Sequence, residues 1–423
     1  AYSNAVARLL SGVQAPVRGL IGPWIHEYPH LAIPRPAIGF LQKSLRWWDC
    51  WLKGIDTGIM NEPLYRAYLM ESALPAASYK HRDGRWIAES NWPSSQIRTK
   101  TLAMNPGRLE ADAAPEEVLT VCSPQDTGAG GGEYCAMWPG PEGPTDQRED
   151  DAGSLVFDTP RLKERLEIFG APIVTLELSV DRPCAFVAVR LCDVWPQGDS
   201  ARVTYGILNL THRERHASPT PLEPGKRYRV RIQLDDIAYA FPQSHCVRVA
   251  ISTAYWPMIW PSPQAVTLRL YTGQSKIDLP VRPDCDDTLQ LFDPPEAAPP
   301  MVSEVLRSKS NRRTVERDSV SGETITRVVD DFGEHCISPH GLTTSEIASE
   351  VYRIKPDNPL SAHVEIHWTE ALSRDDWQVR IETHTEMWAN DETFFIRAKL
   401  EAFEEERRVF VRHWDRQIAR DLV

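Results

Sequence analysis

Along much of this sequence the side chains change character at every second residue. Tyr228, Val230, Ile232 and Leu234 alternate with Arg227, Arg229, Arg231 and Gln233. Val174, Leu176, Leu178 and Val180 share one parity in Ile173–Asp181, as do Val187, Val189 and Leu191 in Ala185–Asp193. Val247, Val249 and Ile251 follow, then Val266, Leu268 and Leu270. A period of two puts one set of residues on each face of a strand. Many such runs separated by turn-rich segments predict an antiparallel sandwich. Leu64–Glu71 and Lys100–Met104 are further candidate strands.

The alternation resumes after a Pro-rich stretch at 283–300, which reads as a linker or a tethering strap. Val364, Ile366 and Trp368 alternate with His363, Glu365 and His367. Trp377, Val379 and Ile381 form another run, and Phe394 to Ala402 a third. One face is apolar and the other mostly charged, so an antiparallel meander should cover something with one side and face water with the other. His363, His367 and His384 would make a metal cluster if neighbouring strands aligned them; a solvated face is the simpler reading, and no metal is expected there.

Residues 1–62 have a different pattern. Tyr2–Ser11 suits an amphipathic helix with Val6, Leu9 and Leu10 inward. Ile38, Leu41, Leu45, Trp48 and Leu52 recur at spacings of three and four, which defines one helix face. Pro36 stands near its start and Gly54 just past its end. Trp47 and Trp51 widen the stripe, so burial on two sides is expected. Between the two helices, Val17–Ile21 reads as a short buried strand that Gly22-Pro23 terminates. His26 then sits on a loop at the C-terminal end of a strand, the place where chemistry collects in open α/β folds.

Three readings of His26 compete. An imidazole titrating near neutral pH suits proton transfer. His26-Glu27-Tyr28-Pro29-His30 also spells H-E-x-x-H, but that zinc motif needs a helix, and Pro29 would break it. A loop or core hydrogen bond is the plainest role. Elsewhere, Asp193, Arg190 and His245 suit turn and inter-strand hydrogen bonds better than a site. The glycine-rich run Gly128–Gly132 lacks the following Lys and Ser/Thr of a phosphate cradle, so a surface loop is expected. Tyr255–Trp260 is an unusually aromatic loop that would wall a pocket or pack between domains.

Composition narrows the partners. The 423 residues carry 59 acidic and 47 basic side chains, a net charge of −12. A mildly acidic, mixed surface argues against nucleic acid and anionic membranes. No apolar run reaches bilayer length, and residues 1–15 do not read as a signal peptide, so a cytoplasmic location is expected. The eight cysteines contain no C-x-x-C pair; Cys184, Cys192 and Cys246 read as reduced buried thiols in strands.

Several spaced blocks resemble the cocaine esterase / X-Pro dipeptidyl-peptidase family of serine hydrolases. They are Tyr2-Ser3-Asn4-Ala5-Val6, Gly19-Leu20-Ile21-Gly22-Pro23-Trp24-Ile25-His26 and Leu45-Arg46-Trp47-Trp48-Asp49 with Trp51-Leu52-Lys53-Gly54. Phe186–Val194, Gly206-Ile207-Leu208, Leu222-x-Pro224-Gly225-x-x-Tyr228-x-Val230 and His245–Ser252 continue the match. The resemblance implies a mainly β chain: residues 1–62 close an α/β-hydrolase domain, 63–285 form a jelly-roll β-sandwich, and 286–423 add a linker and an antiparallel extension. It implies that His26 is the triad base, that no cofactor is used, and that the substrate is a small ester or a peptide such as an X-Pro dipeptide.

An α/β-hydrolase orders its triad nucleophile, acid, base. Here His26 comes almost first, no G-x-S-x-G occurs, and the chain opens without methionine. Nucleophile, acid and oxyanion hole are therefore expected on an N-terminal hydrolase segment upstream of Ala1, and the chain alone is expected to be inactive. The alternative is a non-catalytic β-sandwich module binding a glycan or a protein. Exposure of the Tyr255–Trp260 aromatics in a flat row would favour it, whereas their burial against the Trp47/Trp48/Trp51 helix would favour the hydrolase.

Overall fold

In a computed structural model the described residues are 3–137, 140–283 and 291–423. They form a mainly β molecule with two hydrogen-bonded sheet systems, one of 16 strands and one of 8. The expected boundary at 285/286 lies outside the described residues, as does Tyr2.

The first system folds over on itself as a sandwich. In one layer Phe186–Val194 pairs with Ser200–Asn209 on one side and with Cys246–Ser252 on the other, which continues to Leu155–Asp158. In the facing layer Ile173–Val180 joins Tyr228–Gln233, Leu268–Tyr271 and Lys276–Val281. The alternating residues meet between the layers: Val187, Val189, Leu191, Val249 and Ile251 pack into one core with Val174, Leu176, Leu178, Val230, Ile232 and Leu270. At about 25 cal/mol per Å² of apolar surface removed from water, this core is the main stabilising element of the sandwich.

Asp193 and Arg190 do not meet, and neither is on a solvated face. Both are fully buried. Asp193 binds His245 Nδ1 at 2.8 Å, the Tyr239 hydroxyl at 2.8 Å and Ser72. Burial and this carboxylate push the Tyr239 phenol well above its ordinary value. Arg190 instead pairs with Asp151 at 3.0 Å and donates to Gln147 and Ser154. Arg248 clamps Asp158 through two 2.7 Å bonds and also reaches Asp151. Arg190 and Arg248 each meet a carboxylate and Asp193 is held by hydrogen bonds, as a low-dielectric setting requires.

The glycine-rich run is buried, not a surface loop. The Asp150 carboxylate accepts the backbone N–H of Gly128 at 2.8 Å and of Gly130 at 3.2 Å. The run does form a cradle, but for a carboxyl that the chain itself supplies and that burial pushes above its ordinary range. Gly128 has φ +112°, and a Cβ there would lie 2.7 Å from the Trp256 backbone nitrogen. Only glycine lets the two backbones approach this closely.

The second system is an antiparallel meander of long strands: Thr324–Ile337, Leu342–Lys355, Asn358–Arg374, Trp377–Ala389, Thr393–Glu404 and Arg407–Ala419, with Ser303–Arg307 and Ser310–Arg317 on the first. It covers the aromatic loop. Trp256 packs on Tyr352 at 6.1 Å between centroids, together with Ile354 and Ala362, and Trp260 packs on Phe394 at 6.0 Å. The Tyr255–Trp260 aromatics are thus neither an exposed row nor packed on the Trp-bearing helix; the extension covers Trp256 and Trp260, while Tyr255 packs on Phe186 and Ala188 of the sandwich. Cys192 is buried in a strand as expected, while Cys184 lies on a bend. The described cysteines are all free thiols.

Residues 3–62 lie at one end of the sandwich system. The helix Ser3–Gly12 buries Ala7 and Leu10, the latter against Tyr65 and Leu69, but turns Leu9 outward. The helix Phe40–Lys53 ends on Gly54 at φ +69°, whose N–H returns to Asp49. The expected two-sided burial is absent: no residue of this helix is buried. Leu45, Trp48 and Leu52 are 57%, 53% and 75% exposed. Its polar side holds it in place, through Lys43 and Arg46 on Glu62. The stretch 291–294 is the strap. Asp293 O accepts the Gly39 N–H, Pro294 O accepts from Gln42, and the Arg66 guanidinium lies 3.6 Å from the Phe292 ring centre. Among the described residues no helix is long and apolar enough to cross a membrane.

Candidate functional site

The strand Gly19–Ile21 pairs parallel with Tyr65–Glu71 and stands at the end of the strand order. Its free edge has no neighbour among the described residues. The chain leaves it at Gly22, where a Cβ would strike the Trp24 ring at 2.4 Å. Trp24 folds back over this turn, its indole N–H bonded to Pro36 O at 2.8 Å. Sterics at glycine and one part-buried hydrogen bond therefore set the path that delivers the next residues outward.

His26 follows on a bend and is exposed. Its backbone N–H donates to Ala136 O at 3.0 Å, which anchors the loop to the sandwich side. Glu27 turns inward and accepts the Ile33 N–H at 3.1 Å, while Ile25 N–H donates to Ile33 O at 3.1 Å. His30 stacks on Phe40 at 6.2 Å and 8°. The H-E-x-x-H residues are thus not on a helix. Among the described residues His26, Glu27 and His30 do not converge as a set of metal ligands. Pro29 sends the backbone into a turn, as its missing N–H requires.

Cavities lie on both sides of the loop. His26 lines an open cleft of about 480 Å³ with Val6, Leu20, Tyr28 and the Gly22–Trp24 turn. Behind the loop an apolar pocket of about 230 Å³ separates Ile25 and Ile33 from Met70 and Tyr239. Arg82 and Arg202 also line that pocket, and no motif in the sequence pointed to it. The only signal was the density of Pro and small residues at 73–78 and 140–144 that frames it.

Residues 57–292 match a family model described as the X-Pro dipeptidyl-peptidase C-terminal non-catalytic domain. The chain belongs to this family. The family match covers the sandwich and starts after His26. A Mycobacterium bovis protein named as a serine esterase is 28% identical over 318 residues, which is 66% of this chain and 48% of that protein. The cocaine esterase of a Rhodococcus species is 29% identical over 120 residues, 28% of this chain and 21% of the esterase. An aminopeptidase from a marine-sediment Thaumarchaeota archaeon superimposes with a TM-score of 0.52 at 20% identity, over 63% of this chain and 50% of its own, and supports the fold alone. The chain spans about half the length of the mycobacterial relative.

Proposed function

We propose that this chain is the C-terminal portion of a serine hydrolase acting on esters or amides, X-Pro peptides among them, and that His26 is its triad base. In the complete enzyme His26 takes the serine proton as the acyl bond is attacked and returns it to the leaving group. Residues 1–62 then close the hydrolase domain, 63–285 form the jelly roll and 286–423 the extension.

The observation that carries this reading is an exposed His26 on a loop whose Tyr28 and His30 meet Phe40, the first residue of a helix with a bare apolar face. His26 follows, on a loop, a parallel-paired strand whose other edge has no neighbour among the described residues. On the neighbouring helix Leu41, Leu45, Trp48, Trp51 and Leu52 face outward. Exposed apolar surface of this kind marks an interaction site. A segment bearing nucleophile and acid would add strands to that edge and cover that helix. Relatives named as serine esterase, cocaine esterase and Xaa-Pro dipeptidyl-peptidase support the reaction class.

Reading the gene upstream of Ala1 tests the proposal. It expects an aspartate just before Ala1 and a G-x-S-x-G turn further upstream in frame. A stop codon or unrelated sequence there would overturn it. The same reading expects the 423-residue chain to leave an activated ester unhydrolysed.

A further inference from the structure

On the extension, Asn358–Arg374 and Trp377–Ala389 run antiparallel with His367 opposite His384 and Glu365 opposite Glu386. Residues two apart on a strand share a face. These four side chains therefore occupy adjoining positions on one side of the sheet. Glu365 Oε1 lies 2.9 Å from His367 Nε2 and 3.1 Å from His384 Nε2. The two imidazole rings stack at 4.1 Å between centroids, 11° from parallel. Glu386 Oε1 is 3.6 Å from His384 Nε2.

Both imidazoles aim Nε2 at one carboxylate oxygen. A single cation at that point would accept a lone pair from each ring and from the carboxylate. All three ligand atoms already lie within 4.8 Å of one another.

We propose that Glu365, His367 and His384 form a binding site for a borderline divalent cation, Zn²⁺ in the first place. Two imidazole nitrogens and one carboxylate oxygen suit Zn²⁺, Cu²⁺ and Ni²⁺, whereas Ca²⁺ and Mg²⁺ require more oxygen ligands. Tetrahedral bonds of about 2.0–2.1 Å place donor atoms about 3.3 Å apart. The carboxylate–imidazole distances therefore open by a few tenths of an ångström, and the rings tilt toward each other. Both histidine side chains are at least one-third exposed, so these rotations need no opening of the core. The fourth position is left to water.

The surrounding charges permit a cation. Lys399 and Arg397 face His384 and Glu386 from the next strand. Lys399 is paired with Glu401 at 2.6 Å, and Arg397 lies between Glu386 and Asp415 at 3.8 Å from each. The strand on the other side offers the neutral Ser349 and Val351. His363 is excluded. It lies four residues from His367, about 13 Å along a strand, and its ring stacks on Trp388.

Calorimetric titration of the full chain with Zn²⁺ alone tests the site. The expected result is one saturable equivalent at pH 7.5 that weakens at least about tenfold in His367→Ala and in His384→Ala. Glu365→Gln weakens it less and His363→Ala leaves it unchanged. Melting of the metal-free variants at the parent temperature shows that the fold persists. A second readout is the shift of the His367 and His384 ring proton resonances on adding Zn²⁺. Absence of saturable binding would overturn the proposal. So would equal affinity in the His367→Ala/His384→Ala double variant, whose binding would then belong to the free thiols.

Discussion

In the strand Ile173–Val180 the apolar residues of one parity are all covered by the facing layer, and Val174, Leu176 and Leu178 have no exposure at all. In the helix Phe40–Lys53 an equally regular apolar stripe has no cover, and the polar side faces the body of the molecule. Both patterns follow from the same rule, that periodic apolar residues build a face meant for burial. The sandwich contains both halves of its interface and the helix contains one. A hydrophobic period thus announces a contact without saying whether its other half is in the same stretch of chain.

This contrast can be broken most severely at the buried charges. Arg190→Met removes the buried guanidinium paired with Asp151 and close to Asp150, leaving Arg248 as the cation on Asp151. Breaking a buried ion pair costs about 3–5 kcal/mol, and urea unfolding should show a loss of that size. If stability is unchanged, the network contributes nothing. A paired substitution sharpens the contrast. Leu178→Ala should cost about 2–5 kcal/mol through its cavity, while Leu45→Ala in the helix should stay within about 0.5 kcal/mol. Comparable costs at both positions would mean that the helix face is covered after all.

The smallest effect concerns the joint between the two regions. Asp236 sits where the Ser3–Gly12 helix meets the sandwich, its backbone N–H bonded to Asn4. Burial, with the neighbouring Asp235 adding to it, pushes its carboxyl up to about 6. The folded chain therefore takes up this proton at a higher pH than the unfolded chain does. The contribution to stability is full below about pH 4 and is lost as pH rises through about 6. Asp236→Asn should flatten that slope between pH 4 and 6 and raise stability at pH 7. A parallel slope in parent and variant would remove Asp236 from the joint.

Much of the sandwich was legible because its strands carry one dry and one wet face. Tyr228–Gln233 shows this plainly, with Val230 and Ile232 buried and Arg229 and Arg231 exposed. Ile237–Phe241 escaped notice because Ala238, Tyr239, Ala240 and Phe241 are all buried, so no alternation is written into it. Gly128–Gly132 misled because a glycine run reads as loose, whereas here close backbone contact and Asp150 fix it. The Tyr255–Trp260 loop gave no hint that a sheet about a hundred residues later would cover it. At the site, Gly22-Pro23 and Pro29 fixed the non-helical path of His26, and both were readable. The alignment of His367 with His384 was not, since it depends on a strand register that one residue of slip would destroy.

The most direct measurement is ester turnover by the protein extended upstream through its nucleophile, with and without His26→Ala. With His26 as the triad base, the variant loses about 10²–10⁴-fold in kcat while its sandwich unfolds as in the parent. Turnover unchanged by His26→Ala would contradict the account and return His26 to the role of a loop residue.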